Sequence, residues 1–194
     1  MADTTLRNVV KRVALLNLGY FCVEFVVALS IGSVSLFADS IDFLEDTSLN
    51  LLILMALGWS VRNRARLGMA LAAILLVPGL ATIWTAWQKF MAPVAPEPLP
   101  LSLAGLGALA VNLSCAMMLV RFREHSGSLT RAAFLSARND TLANIAIIAA
   151  GLVTAFLWTS AWPDLIVGIA IAALNADAAR EVWTAARGEQ SAVA

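Results

Sequence analysis

Charge is scarce in this sequence. Of its 194 residues, 13% are Asp, Glu, Lys or Arg, against about 25% in a typical soluble domain. Histidine is rarer still, a single residue at His125, and cysteine occurs twice. Cys22 and Cys115 sit far apart in apolar runs without metal-ligand spacing, so they read as packed thiols. No Gly-rich loop of the phosphate-cradling type is present, and any ATP hydrolysis would have to come from a partner. No small-residue cleavage site follows the first apolar segment, and further apolar segments do, which excludes a cleaved signal peptide.

What fills the chain is apolar: 60% of residues are hydrophobic, where a soluble domain has about 45–50%. This is the composition of an all-α integral membrane protein. A helix needs about 20 residues to cross the hydrocarbon core, and the segments 9–30, 34–61, 67–91, 100–121, 130–157 and 163–186 qualify. The organisation expected is a cytoplasmic N-terminus over 1–8, a six-helix transmembrane domain over 9–187 and a short cytoplasmic tail over 188–194. Ile31, Gly32 and Ser33 form the first connection, and the Pro-rich stretch MAPVAPEPLP the third. Pro78 with Gly79 predicts a kink in the third span, because proline removes a backbone hydrogen bond.

The formal net charge is +0, yet of the 13 basic residues all but Lys89 fall on one side of the predicted bundle. Positive charge marks the cytoplasmic face, so both termini are expected there, in a multi-pass protein of a bacterial inner membrane. Trp59, Trp84, Trp87, Trp158, Trp162 and Trp183 fall near span ends and read as an interfacial aromatic belt.

Against this background the stretch SLFADSIDFLED in the second span is anomalous. A carboxylate at bilayer depth costs about 2.5–3.5 kcal/mol on insertion scales, and such residues persist mostly where they line a substrate or ion path. At 100° per residue, Asp39, Asp42 and Asp46 fall within an arc of about 60°, with Glu45 about 100° from Asp46. The fifth span carries Ser136, Asp140 and Asn144 as a stripe of about 80°, with Asn139 about 60° from Ser136 and Arg138 almost opposite. Small polar residues in such a stripe can be packing glue, worth about 0.6 kcal/mol per hydrogen bond. An Asp among them favours a site, while Ser136 and Asn144 stay open between the two readings.

Set face to face, Asp42 and Asp46 would meet Ser136 and Asp140. Carboxylates held together repel, and either protons or a divalent cation relieve that repulsion. Competition for the same oxygens is the physical basis of exchange, and the driving force would have to be a gradient.

These motifs resemble those of the cation diffusion facilitator family of metal/proton antiporters. Members carry a Gly-Ser-x-Ser-Leu turn, then Ala-Asp and a His/Asp-x-x-x-Asp pair on helix 2. On helix 5 they carry Ser-Leu-x-x-Arg-Ala-Ala-x-x-His-x-x-x-Asp, with an Asn four residues later. Matching positions are Gly32, Ser33, Ser35, Leu36, Ala38, Asp39, Asp42 and Asp46, then Ser128, Leu129, Arg131, Ala132, Ala133, Asp140 and Asn144. Glu24, and Trp162-Pro163-Asp164 opening the sixth span, also fit, and the likeness runs over about residues 10–186.

The resemblance implies a six-helix bundle, a homodimer, and export of a divalent cation of the Zn/Cd/Co/Fe/Mn class from the cytoplasm in exchange for protons. It implies metal ligation by Asp42, Asp46, Asp140 and Ser136. Asp39, Glu24, Glu45, Asn139, Asn144 and Arg138 would lie on the proton path or behind the ligands. The metal would be cargo, with no prosthetic group, no enzymatic activity and no nucleic-acid partner; the bilayer is the remaining partner. Two departures stand out. Ser136 occupies the helix 5 histidine position, so the donor set is Asp, Asp, Ser, Asp, which favours Mg, Mn or weakly held Fe over Zn. Asn139 or a water is a candidate for the fourth position. The sequence also reads as a short form without the cytoplasmic C-terminal domain that most members append.

Most of the other ionisable groups have two or more readings. Glu24 would pair across the bundle or sit on the proton path. Arg138 would snorkel to the interface, pair with Glu45, or neutralise the site. His125 reads as a solvated loop residue or a metal-delivery group, and Asp177 with Arg180 as an interfacial ion pair. Asp-x-x-Asp-x-x-x-Asp also occurs in intramembrane Mg-dependent prenyltransferases, but those need a second Asp-rich motif and more spans. A non-transporting membrane subunit or regulator with the same fold is the other alternative.

Overall fold

The turn at Gly32 fixes how the first two helices meet. Its φ of 61° lies in the left-handed region that a side chain disfavours, and it lets the chain reverse within the Gly32–Ser33 connection. In the computed structural model, which describes residues 2–56, 80–121, 128–174 and 180, every regular element described is helical. We label them α1 (Ala2–Ile31), α2 (Val34–Ala56), α3 (80–91), α4 (Pro98–Leu119), α5 (Ser128–Phe156) and α6 (Trp162–Leu174). Pro98 opens α4 at a position where a missing N–H costs nothing. The Pro78–Gly79 kink, the 62–66 loop, Trp59, Arg123, His125, Asp177, Trp183, Arg187 and the 188–194 tail lie outside the described residues. So do the side chains of Arg131 and Arg138.

Among the described residues three helices are long and apolar enough to cross a membrane: Leu6–Ile31, Pro98–Leu119 and Asn139–Phe156. The 23-residue α2 is long enough too, but Asp39, Asp42, Glu45 and Asp46 interrupt its hydropathy. It is sheltered by its neighbours. α1 packs on α2, α2 on α5, α5 on α4 and α4 back on α1, so these four helices close a ring.

The ring is inverted relative to a soluble bundle. Leu18, Val23, Val26, Leu29, Ile145 and Leu152 face outward, while Asn17, Glu24, Asp39, Asp46, Asn112 and Asn144 are buried. Lipid is the solvent that makes this arrangement favourable, because intramembrane polar groups then turn inward.

The interior is layered. At one end Val10, Val13, Ile53, Cys115, Leu119 and Ala137 form an apolar cluster. At the other, Ala28, Leu36, Phe37, Ile41, Leu101, Ala104 and Ile147 form a second. Between these clusters every ring helix carries buried polar residues: Asn17 and Glu24 on α1, Asp42 and Asp46 on α2, Asn112 on α4 and Asn144 on α5, with Asp39 at the edge of the second cluster. A polar layer between two apolar plugs suits an occluded site.

At the end where α2 begins, α3 and α6 lock it in place. Val34, Ala86 and Leu165 pack together, and Phe90 meets Trp162 edge-on at 6.0 Å. Gly168 of α6 lies directly against the start of α2. A Cβ there would stand 2.7 Å from Val34 Cγ1 and 2.8 Å from the Ser35 backbone nitrogen, and backbone cannot rotate away. Gly168→Ala is therefore expected to cost about 1–3 kcal/mol as an overpacking substitution, measurable as a lowered unfolding midpoint in detergent. An unchanged midpoint would mean the α2–α6 contact is looser than this.

Candidate metal centre

The centre begins with α2. Helical spacing carries Asp39, Asp42 and Asp46 down one face, and all three are buried. Asp46 is the best held. Its Oδ1 accepts a hydrogen bond from Ser136 Oγ of α5 at 2.8 Å, and its Oδ2 accepts from Asn17 Nδ2 of α1 at 3.3 Å. Behind Asn17, the Cys115 thiol of α4 donates to Asn17 Oδ1 at 3.5 Å. Residues from all four ring helices thus fix the orientation of one carboxylate.

Asp42 stands one helical turn from Asp46 on α2, and Asp140 one turn from Ser136 on α5, so both lie near this bond. Among the described residues, however, no three of His, Cys, Asp and Glu converge tightly enough to enclose a metal. Like charges keep apart unless a cation draws them together. The donors available are hard carboxylate and hydroxyl oxygens, which match Mg, Mn or other divalent ions that accept oxygen ligands.

The remaining candidates divide. Asn144 of α5 is buried and donates to Asp39 Oδ2 at 2.6 Å, while its own Oδ1 accepts from Asn112 Nδ2 of α4 at 3.1 Å. Glu24 is buried on α1, opposite Asp39 in the α1–α2 register set by the Tyr20–Phe43 and Phe25–Phe37 contacts. Glu45 is half-buried, and Asn139 is exposed on α5.

Some residues of the polar layer carry weak signals or none in the sequence. Asn17 lies seven residues before Glu24, within about 20° of it on a helix, which is a readable signal. Asn112 gives none, being a lone amide in an apolar run. Lys89, the one basic residue on the opposite side of the predicted bundle, is buried and paired with Asp164 at 3.0 Å, and its Nζ also donates to Gly32 O. The Asp164 carboxylate accepts further bonds from Val34 N, Ser35 N, Ser33 Oγ and Ser35 Oγ, capping α2 from α6.

Known proteins resemble the chain over most of its length. The family model described as the cation efflux transmembrane domain matches residues 10–186. The zinc transporter ZitB of Yersinia pseudotuberculosis serotype I is 28% identical over 157 residues, covering 74% of this chain and 50% of that protein. The zinc transporter ZitB of Yersinia pestis matches with the same identity and coverage. The chain thus spans about half the length of these curated relatives.

Proposed function

The chain belongs to the cation efflux family, and from that premise we propose that it exports a divalent metal cation from the cytoplasm in exchange for protons. Asp42, Asp46 and Asp140 are the charged ligands in this reading and Ser136 a weaker one. Asp39, Glu24, Glu45, Asn139, Asn144 and Arg138 shape the surroundings or carry protons. The proposal extends to a homodimer in a bacterial inner membrane with both termini cytoplasmic. Membership of a transporter family removes the prenyltransferase reading.

The single observation that carries this is the 2.8 Å bond between Ser136 and Asp46. It joins the two motifs that sequence alone paired, and it does so in the polar layer where Asp42 and Asp140 also lie. Three carboxylates and a hydroxyl in that region concentrate anionic oxygen in need of positive charge. A divalent ion satisfies it from the cytoplasm; protons satisfy it once the ion has left. The relatives are zinc transporters, whereas the oxygen donor set here favours harder ions.

Equilibrium binding of Zn and Mn to the purified chain tests the site. Binding in the wild type that Asp46→Ala removes supports it. No binding of any divalent ion overturns it in favour of the non-transporting subunit. A specificity change is also expected. Ser136→His places an imidazole beside Asp46, and zinc affinity should rise about 10-fold or more, equivalent to about 1.4 kcal/mol. Mn affinity should not follow, since imidazole suits zinc better. Parallel gains for both ions would show that Ser136 does not set selectivity.

A further inference from the structure

The metal ligands leave part of the polar layer unused. Glu24 is completely buried, and neither of its carboxylate oxygens has a hydrogen-bond partner among the described residues. Asp39, also completely buried, stands opposite it on α2, in the register fixed by the Tyr20–Phe43 and Phe25–Phe37 ring contacts at 5.1 and 5.6 Å on either side. Only Asp39 Oδ2 is engaged, by Asn144 Nδ2 at 2.6 Å; Oδ1 is unpartnered. On α4, Asn112 donates to Asn144 at 3.1 Å and leaves its own Oδ1 buried without a donor.

The hydrogen inventory of this cluster does not balance. Glu24 Oε1 and Oε2, Asp39 Oδ1 and Asn112 Oδ1 are all acceptors facing no donor. Two carboxylates pressed together as bare anions, out of water, are strongly unfavourable. A single hydrogen on one of them changes this, because its O–H then donates to the other and the pair carries one negative charge. Neighbouring groups do not supply that hydrogen. The Tyr20 hydroxyl of α1 is committed to Ala104 O at 2.6 Å. Asp42 of α2 and Asp140 of α5 contribute negative charge within electrostatic reach of Asp39, and α4 presents Asn112.

We propose that Glu24 and Asp39 share one proton in a site separate from the metal ligands, with Asn144 and Asn112 orienting the pair, and that this proton is the ion exchanged for the metal. The exchange role rests on the metal/proton reading above; the shared proton does not. Asp39 and Asp42 lie one helical turn apart on the same face. A divalent cation arriving at Asp42 therefore repels a proton held at Asp39, and that proton leaves to water. Metal release restores the repulsion between carboxylates and draws a proton back.

Infrared difference spectroscopy of the full chain in lipid vesicles tests the pair directly. A buried carboxylic acid gives a C=O stretching band distinct from that of a carboxylate, read by pH steps without metal and then by adding Mn. In the wild type an acid band is expected that Mn abolishes. Glu24→Gln and, independently, Asp39→Asn should each lose this band, so misfolding of one variant leaves the other informative. An acid band unchanged in both variants overturns the shared proton. So does bleaching of the band by sodium at constant pH, which would identify a sodium site. A band lost in both variants but indifferent to Mn, Zn and Co retains the proton site and rejects the exchange role.

Discussion

Asp140→Asn is expected to abolish metal flux while the protein still inserts and folds. The substitution is nearly isosteric and replaces one anionic oxygen by an amide nitrogen that cannot ligate. Mutating groups that merely orient metal ligands costs about 10–100-fold in affinity or activity, so loss of a ligating carboxylate should exceed the upper end of that range. Folding should survive, because Asp140 is only half-buried and removing its charge relieves repulsion against Asp46 and Asp42. Metal uptake into proteoliposomes measures the first effect, and helix content with elution volume the second. Flux at the wild-type level would remove Asp140 from the site. Asp46→Ala is the harsher test, since it also strands the Ser136 hydroxyl and the Asn17 amide that now bond to it.

The largest stability effect is expected far from that site, at Asp164. Asp164→Ala leaves the buried Lys89 ammonium without its carboxylate and removes the acceptor for Val34 N, Ser35 N and both serine hydroxyls. Breaking a buried ion pair from one side costs about 3–5 kcal/mol. Lys89→Met should cost less, because Asp164 keeps its backbone and hydroxyl donors while losing only one partner. Combining the two should cost less than the sum, which a double-mutant cycle in denaturant would show. Additive losses, or a cost for Asp164→Ala below about 1 kcal/mol, the range of exposed pairs, would mean that the pair is solvated and the α2 cap unimportant.

What the sequence disclosed and what it concealed follow from different physics. The all-helical fold and three of the expected spans, at Leu6–Ile31, Pro98–Leu119 and Asn139–Phe156, were legible because twenty apolar residues in a row have few uses outside a bilayer. Asp39, Asp42, Asp46 and Asp140 stood out as candidates because charge in such a run is costly. Helix ends were less so. α1 begins at Ala2, earlier than the expected residue 9, because hydropathy marks where a helix enters lipid and not where its hydrogen bonding starts. Partnerships were hidden altogether. Ser33 and Asp164 are 131 residues apart and Lys89 and Asp164 are 75 apart, and no periodicity encodes a contact of that kind. Neutral amides suffered similarly: Asn112 acquires meaning only through its bond to Asn144, and thereby to Asp39.

Metal-driven proton movement across a sealed membrane bears most directly on the proposed exchange. The full chain in proteoliposomes would be challenged with Zn, Mn, Fe, Co and Cd, with internal pH and metal followed together, beside Asp46→Ala. Proton flux opposite to metal flux, present in the wild type and lost in Asp46→Ala, is the result expected. Metal flux without proton movement would refute the exchange, and absence of both with every ion would leave a cation efflux fold that does not transport.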